Sequence, residues 1–262
     1  MPQPDHQWLL CFDFDGTFID QSQPKVVIPE LRQALDMARG IGATLVINTG
    51  RSLFQAVAGI NDCSLRDCPD YLIAWEREIY EPTKFRRWVD FGAWNKRCRK
   101  DHHKLFRSRR KLLREIREFV LEHSGARWVE EAHEPAGIIA RDEAEMARLS
   151  VHIDREIAGA RAKNLSYERN SIYLRFAHAA YNKGTALAEL GKMLGIPAQR
   201  TFAIGDNHND MTMLDPEVAS MVACPGNAVA EVKEAVAAQG GYVATNTCGA
   251  GVAEAIGHYF HS

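Results

Sequence analysis

The chain has 262 residues, 46% of them hydrophobic and 25% charged, with 32 Lys and Arg against 34 Asp and Glu for a formal net charge of -2. That is the composition of an ordinary soluble globular protein, long enough for one large domain or two smaller ones around a sizeable core. The near-neutral balance gives no whole-chain argument for nucleic acid or a membrane surface, and no apolar run approaches the ~20 residues that cross a bilayer.

Apolar runs of strand length alternate with helical patterns in the first part. WLLCF (8–12) reads as a buried strand, and PELRQALDMARG (29–40) as a helix with Leu31, Leu35 and Ala38 on one face. ATLVI (43–47) is a second buried strand, a short helix follows from Ser52, and DYLIA (70–74) is a third strand. Continuous apolar strands separated by helices imply a parallel sheet covered on both faces. After about Glu78 the style changes. A long basic helical pattern (103–124) leads to the strands ARWVEE (126–131) and AGIIAR (136–141). A helix over 142–159 leads to KNLSYE (163–168) and SIYLRF (171–176). Helix-strand-strand, twice over, predicts an antiparallel sheet with both helices on one face, an α+β unit inserted into the α/β frame. From about Ala180 the first style resumes, with a helix over 182–197, strands TFAIG (201–205) and VASMVAC (218–224), and helices over 228–238 and 250–260. The expected organisation is a doubly wound parallel sheet built from residues 1–79 and 178–262, with an inserted α+β domain over 80–177.

The stretch MPQPDHQW lacks a basic region followed by a long apolar one, so no secretory signal is expected and the cytoplasm is the expected location. Cysteines at 11, 63, 68, 98, 224 and 248 are scattered through a chain that needs no staples, so buried thiols are expected rather than disulfides. Cys63 and Cys68 are the closest pair, and no second Cys or His pair follows at zinc-ligand spacing.

In open parallel sheets ligands bind beyond the carboxyl ends of the strands. The segments just past the core strands are Asp13-Phe14-Asp15-Gly16-Thr17, Asn48-Thr49-Gly50-Arg51-Ser52 and Asp206-Asn207-His208-Asn209-Asp210, and Asn182-Lys183-Gly184 opens a helix. Together they pool acids, a hydroxyl and a lysine, a set suited to phosphoryl transfer by a carboxylate nucleophile. A carboxylate 4 Å from a phosphate dianion meets roughly 8 kcal/mol of repulsion at an effective dielectric near 20, so positive charge must cancel it. A hard divalent cation on oxygen ligands, held by Asp13 and Asp206, and Lys183 as a second charge would do so. The Thr49 hydroxyl and backbone amides after Asp13 and Thr49 can donate to phosphate, with Gly16 and Gly50 allowing close approach. A second carboxylate, Asp15, can protonate the leaving alkoxide and later deprotonate water.

These four segments resemble, in order, the motifs of the haloacid dehalogenase superfamily of phosphatases. The inserted unit and the run Pro225-Gly226-Asn227-Ala228 with Val232-Lys233 are similar to its Cof-type, sucrose-phosphatase-like branch with an α/β cap. The resemblance implies a phosphoric monoester hydrolase with Asp13 as nucleophile and Asp15 as general acid/base. It implies Mg²⁺ on the Asp13 carboxylate, the Asp15 backbone carbonyl and Asp206, with Asp210 and Asn209 supporting the metal and phosphate shell. Thr49, Gly50, Arg51 and Lys183 would contact phosphate or substrate, and the implied partner is a small phosphorylated metabolite such as a sugar phosphate. One stretch departs from the pattern: Trp75-Glu76-Arg77-Glu78 stands where the branch often has a small Asn-Gly type stretch.

Other readings of the same residues are weaker. An EF-hand loop counted from Asp13 would need Gly at Phe18 and Glu at Pro24. Gly249-Ala250-Gly251 reaches Glu254 where a dinucleotide loop needs a third Gly or Ala, and reads as a helix start. His102 and His103 are expected at the surface, His208 in a solvated loop, and Arg51 either on substrate or in an ion pair. The segment from Lys96 to Arg117 has only Asp101 and Glu115 as acids; it reads first as a solvated helix face, then as a patch for an anion. Two alternatives to hydrolysis stay open: a phosphomutase using the same aspartate pair, and a non-catalytic anion- or RNA-binding protein using that basic segment.

Overall fold

The structure, a computed structural model, describes residues 7–23, 26–65, 69–85, 87–131 and 134–260. It divides into two compact units, residues 1–95 with 183–262, and residues 96–182. In chain order the first unit supplies β1 (Trp8–Phe12), α1 (Pro29–Gly40), β2 (Ala43–Asn48), α2 (Leu53–Asp62), β3 (Tyr71–Ala74), β4 (Glu78–Pro82) and β5 (Trp88–Asp90). Next come α3 (Trp94–Ser108), α4 (Arg110–His123), β6 (Arg127–Glu131), β7 (Glu134–Ile139), α5 (Glu143–Gly159), β8 (Leu165–Asn170) and β9 (Tyr173–His178). The chain closes with α6 (Lys183–Leu194), β10 (Thr201–Ile204), β11 (Met221–Cys224), α7 (Ala230–Ala238), β12 (Tyr242–Val243) and α8 (Cys248–Phe260).

The larger unit is built on one eight-stranded sheet, order β12-β11-β10-β1-β2-β3-β4-β5. The pairs from β12 through β3 are parallel, and β4 and β5 add antiparallel at one edge. Successive side chains of a strand point to opposite faces, so a run apolar at every position must be buried on both. In β1, Leu10 and Phe12 join the core that includes Leu31 and Leu35 of α1 and Val252 and Ile256 of α8. Leu9 and Cys11 join the opposite core with Ala186, Leu187 and Leu190 of α6 and Val232 of α7. Strand order reverses between β1 and β10, which places a crevice beyond their carboxyl ends.

The compact units part at 95/96 and 182/183, where the sequence had suggested 79/80 and 177/178. The difference is β4 and β5, whose short, charge-bearing segments gave no strand signal, yet β4 buries Glu78, Ile79 and Tyr80 and pairs with β3. Asn95 then ties itself to β4, its Oδ1 accepting from Ile79 N at 2.7 Å and its Nδ2 donating to Ile79 O at 2.8 Å.

The smaller unit has a four-stranded antiparallel sheet, order β6-β7-β9-β8. Leu112, Leu113, Ile116 and Val120 of α4 and Met146, Leu149 and Ile153 of α5 share one core with Ile138, Leu174 and Phe176 of the sheet. The basic helical pattern is two helices rather than the one expected over 103–124. The break is at Arg109 (φ -105°, ψ 12°), with no Gly or Pro to announce it, and the first helix starts at Trp94. His102 is buried rather than at the surface, because its Nε2 accepts from the backbone of His178 at 3.2 Å. Of the cysteines, Cys11, Cys63, Cys98 and Cys224 are buried, Cys248 is partly exposed, and Cys68 lies outside the described residues.

Glu145 ties α5 to the preceding loops. Its carboxylate accepts from the Arg141 guanidinium (2.6 Å), Arg141 N (2.8 Å) and Gly125 N (2.9 Å). Those bonds, the Arg141 side chain first, hold its carboxyl down to about 2 from an ordinary 4.5. A carboxyl depressed on folding contributes stability that is full above the unfolded value and lost as pH falls through the folded one. The Tm difference between wild type and Glu145→Gln should therefore be largest near pH 6 and shrink toward about pH 2; a difference independent of pH would contradict this.

Candidate active site

Asp13 follows β1 by one residue and continues the alternation of Leu9 and Cys11, toward the face that α6 covers. The first residue of α6 is Lys183, fully buried, and its Nζ donates to Asp13 Oδ1 and, at 2.6 Å, to Asp210 Oδ1. Asp210 closes a 3₁₀ turn after β10. Its Oδ2 accepts from the backbone N of Asp206 (2.8 Å) and of Asn207 (2.9 Å). That fold-back is why position 205 is Gly: a Cβ there would sit 2.4 Å from Asp210 Cβ. Gly16 (φ +83°) turns the chain after Asp15, and Thr17 Oγ1 then donates to Asp206 Oδ1 at 2.7 Å.

Asp15 leaves this cluster. Its carboxylate is held by the fork of Arg51, Nε to Oδ2 at 2.7 Å and Nη2 to Oδ1 at 2.6 Å, and the guanidinium lies 4.8 Å over the Phe14 ring. The ion-pair alternative for Arg51 is thus the one the structure contains. Thr49 is buried, and its hydroxyl accepts from Arg51 N at 3.2 Å. His208 is half-buried, its Nε2 3.9 Å from Glu231, and takes no part in the cluster.

Sequence reasoning missed Glu76. It sits in the β3-β4 turn with Trp75, both in the left-handed region (φ +49° and +62°), with Arg77 N donating to Ala74 O at 3.1 Å. Two-residue hairpins of this kind favour Asn-Gly, and each bulkier residue costs about 1–2 kcal/mol. The turn is pinned to the loop after β2 by Trp75 N to Arg51 O and Glu76 N to Thr49 O, both 2.9 Å. The Glu76 carboxylate is buried, accepts from Asn209 Nδ2 at 2.6 Å, and approaches to 3.3 Å of where a Cβ on Gly50 would lie. It thereby joins the loops after β2 and β10. The available signal was a large acid in place of a small residue beyond a core strand.

The site is electrostatically lopsided. Burial pushes the Asp13 carboxyl well above its ordinary value, against the pull of Lys183. Burial, then Asp210, pushes Asp206 up to about 6. Burial alone would lower Lys183, but Asp13, Asp210 and Glu76 outweigh it and hold the ammonium charged. Asp13, Asp206 and Asp210 each offer an oxygen, all within 4.8 Å of one another. Asn209 Oδ1, on the neighbouring residue, is buried without a hydrogen-bond partner. Hard oxygen donors with one lysine among them fit a divalent cation such as Mg²⁺.

The family described as haloacid dehalogenase-like hydrolase matches residues 114–256, and the family sucrose-6F-phosphate phosphohydrolase matches residues 6–120. YxeH of Bacillus subtilis strain 168, whose name places it among the phosphatases, is 25% identical over 254 residues, 87% of this chain and 90% of its own. The sucrose-phosphatase of Synechocystis sp. PCC6803, solved with sucrose and phosphate, matches the fold at a TM-score of 0.74 with 20% identity, over 98% of this chain and all of its own. The subclass IIB sugar phosphatase BT4131 matches at 0.66 with 16% identity, over 96% of this chain and 98% of its own. The chain therefore belongs to the haloacid dehalogenase-like hydrolase family, as a phosphoric monoester hydrolase.

Proposed function

We propose that this phosphatase hydrolyses the phosphomonoester of a small metabolite, a sugar phosphate, with Mg²⁺ and through an aspartyl-phosphate on Asp13. The observation that carries the reading is the buried Lys183 ammonium joining Asp13 to Asp210, with Asp206 completing an oxygen cluster. The sugar assignment draws on the sucrose and sugar phosphatases that share the fold.

Asp13, Asp206 and Asp210 would hold the metal, and Mg²⁺ bound there supplies charge that offsets repulsion between Asp13 and the phosphate. Lys183 favours the ionised form of the Asp13 carboxyl against its burial and orients it for attack. An Asp13 oxygen forms the bond to phosphorus as the ester P–O bond breaks, and the departing alkoxide takes a proton from the Asp15 carboxyl. Asp15, now a carboxylate, removes a proton from water, whose oxygen attacks phosphorus. The Asp13–phosphorus bond breaks and phosphate leaves. The Arg51 fork fixes where Asp15 stands, while each Asp15 oxygen keeps a second lone pair for this proton. Thr49 and the backbone beside Gly50 face the phosphate, with Asn209 oriented by Glu76.

Asp13→Asn should leave the circular dichroism spectrum of the folded protein intact and reduce kcat for p-nitrophenyl phosphate by about 10⁴-fold or more. Retained hydrolysis would refute the nucleophile. Excess chelator should stop turnover and added Mg²⁺ restore it; full activity in chelator would refute the metal. Glu76→Gly should relieve left-handed strain and keep or raise Tm while kcat/KM falls roughly tenfold; Glu76→Gln, which still accepts from Asn209, should keep most activity. Unchanged kcat and KM in Glu76→Gly would remove the positioning role.

A further inference from the structure

We propose that the smaller unit carries a binding site of its own, for an oxyanion group, phosphate or carboxylate, on a small hydroxylated molecule. The site is a cavity of about 290 Å³ whose polar lining is Asp101, Lys104, Ser108, Arg109, Asn164 and His178, with Leu105 as its apolar wall, all within residues 96–182. It forms where the last turns of α3 and the helix break at Arg109 meet the paired ends of β8 and β9, with Leu165 opposite His178.

Its polar groups are arranged for a negatively charged guest. Neither Lys104 nor Arg109 makes an ion pair among the described residues, and Arg109 Nε is buried without a hydrogen-bond partner. A buried guanidinium N–H with no acceptor lacks the bond that buried donors normally make. Guanidinium groups bind carboxylate and phosphate oxygens through paired N–H donors. His178 contributes a donor as well. Its Nδ1 accepts from Ala180 N at 3.1 Å, which places the proton of the neutral ring on Nε2, and burial lowers its pKa from the ordinary 6.5. Asp101 is the one acid of the lining. Its Oδ2 is occupied by the Tyr181 hydroxyl at 2.6 Å, leaving Oδ1 as an acceptor for a ligand hydroxyl. Ser108 and Asn164 add neutral partners of the same kind. The set, two cations, neutral donors and one oriented acceptor, matches an anionic head on a hydroxylated skeleton. It also gives the basic segment a use other than solvation.

The test uses the full-length chain with ¹⁵N-labelled histidine side chains, titrated separately with sulfate and with D-glycerate. The His178 resonance should shift saturably, and binding should weaken about tenfold or more in Lys104→Ala/Arg109→Gln, with Lys104→Ala alone intermediate. The double variant leaves the Asp13 cluster untouched, so an effect relayed from that cluster would persist in it. Response to sulfate alone supports a phosphate-type ligand, and to D-glycerate alone a carboxylate. The proposal is overturned if neither probe moves His178 saturably, or if the variants respond as wild type does.

Discussion

A single buried ammonium organises the larger unit. Lys183 is wholly removed from water, and an unpaired charge there would cost several kcal/mol. Its pairing with Asp13 and Asp210 therefore constrains three chain segments at once: the end of β1, the start of α6 and the turn after β10. The parallel sheet makes this arrangement possible. Alternation along β1 aims Asp13 at the α6 face, and the reversal of strand order between β1 and β10 brings Asp206 and Asp210 beside it. With Glu76 added, the surrounding carboxylates outnumber the lysine, an imbalance that a divalent cation would redress.

Around that pair the backbone repeatedly departs from local preference. Trp75 and Glu76 occupy conformations suited to Asn-Gly, Gly205 yields its side-chain space to Asp210, and Gly16 turns through positive φ. Such departures persist where the surroundings over-determine them, and they gather where ligands bind. Glu76 shows the exchange most clearly: its turn is strained, and its carboxylate orients Asn209 while its amide holds the loop of Thr49.

Much of this was legible in the residues. β1, β2 and β10 announce themselves because strands buried on both faces are apolar without interruption, and the acids immediately past them mark the crevice. Lys183 could be named as a partner, since a lysine among loops rich in acids has a clear electrostatic use. β4 and β5 were illegible because their segments mix Glu, Pro and Asp with the apolar residues and join the sheet at its edge, where burial is partial. The break at Arg109 has no local marker. The Asp15–Arg51 fork was only one of two readings, because spacing cannot tell a guanidinium bound to carboxylate from one bound to substrate. Glu76 was hidden because its role depends on Asn209, 133 residues away.

The proposed bond between Asp13 and phosphorus can be observed as chemistry on that residue. Enzyme quenched in acid during steady-state turnover, reduced with borohydride and digested, should yield homoserine at position 13, the reduction product of an acyl phosphate. Unmodified Asp13 under conditions where turnover is confirmed, or homoserine at Asp15 or Asp206 instead, would contradict the nucleophile assignment.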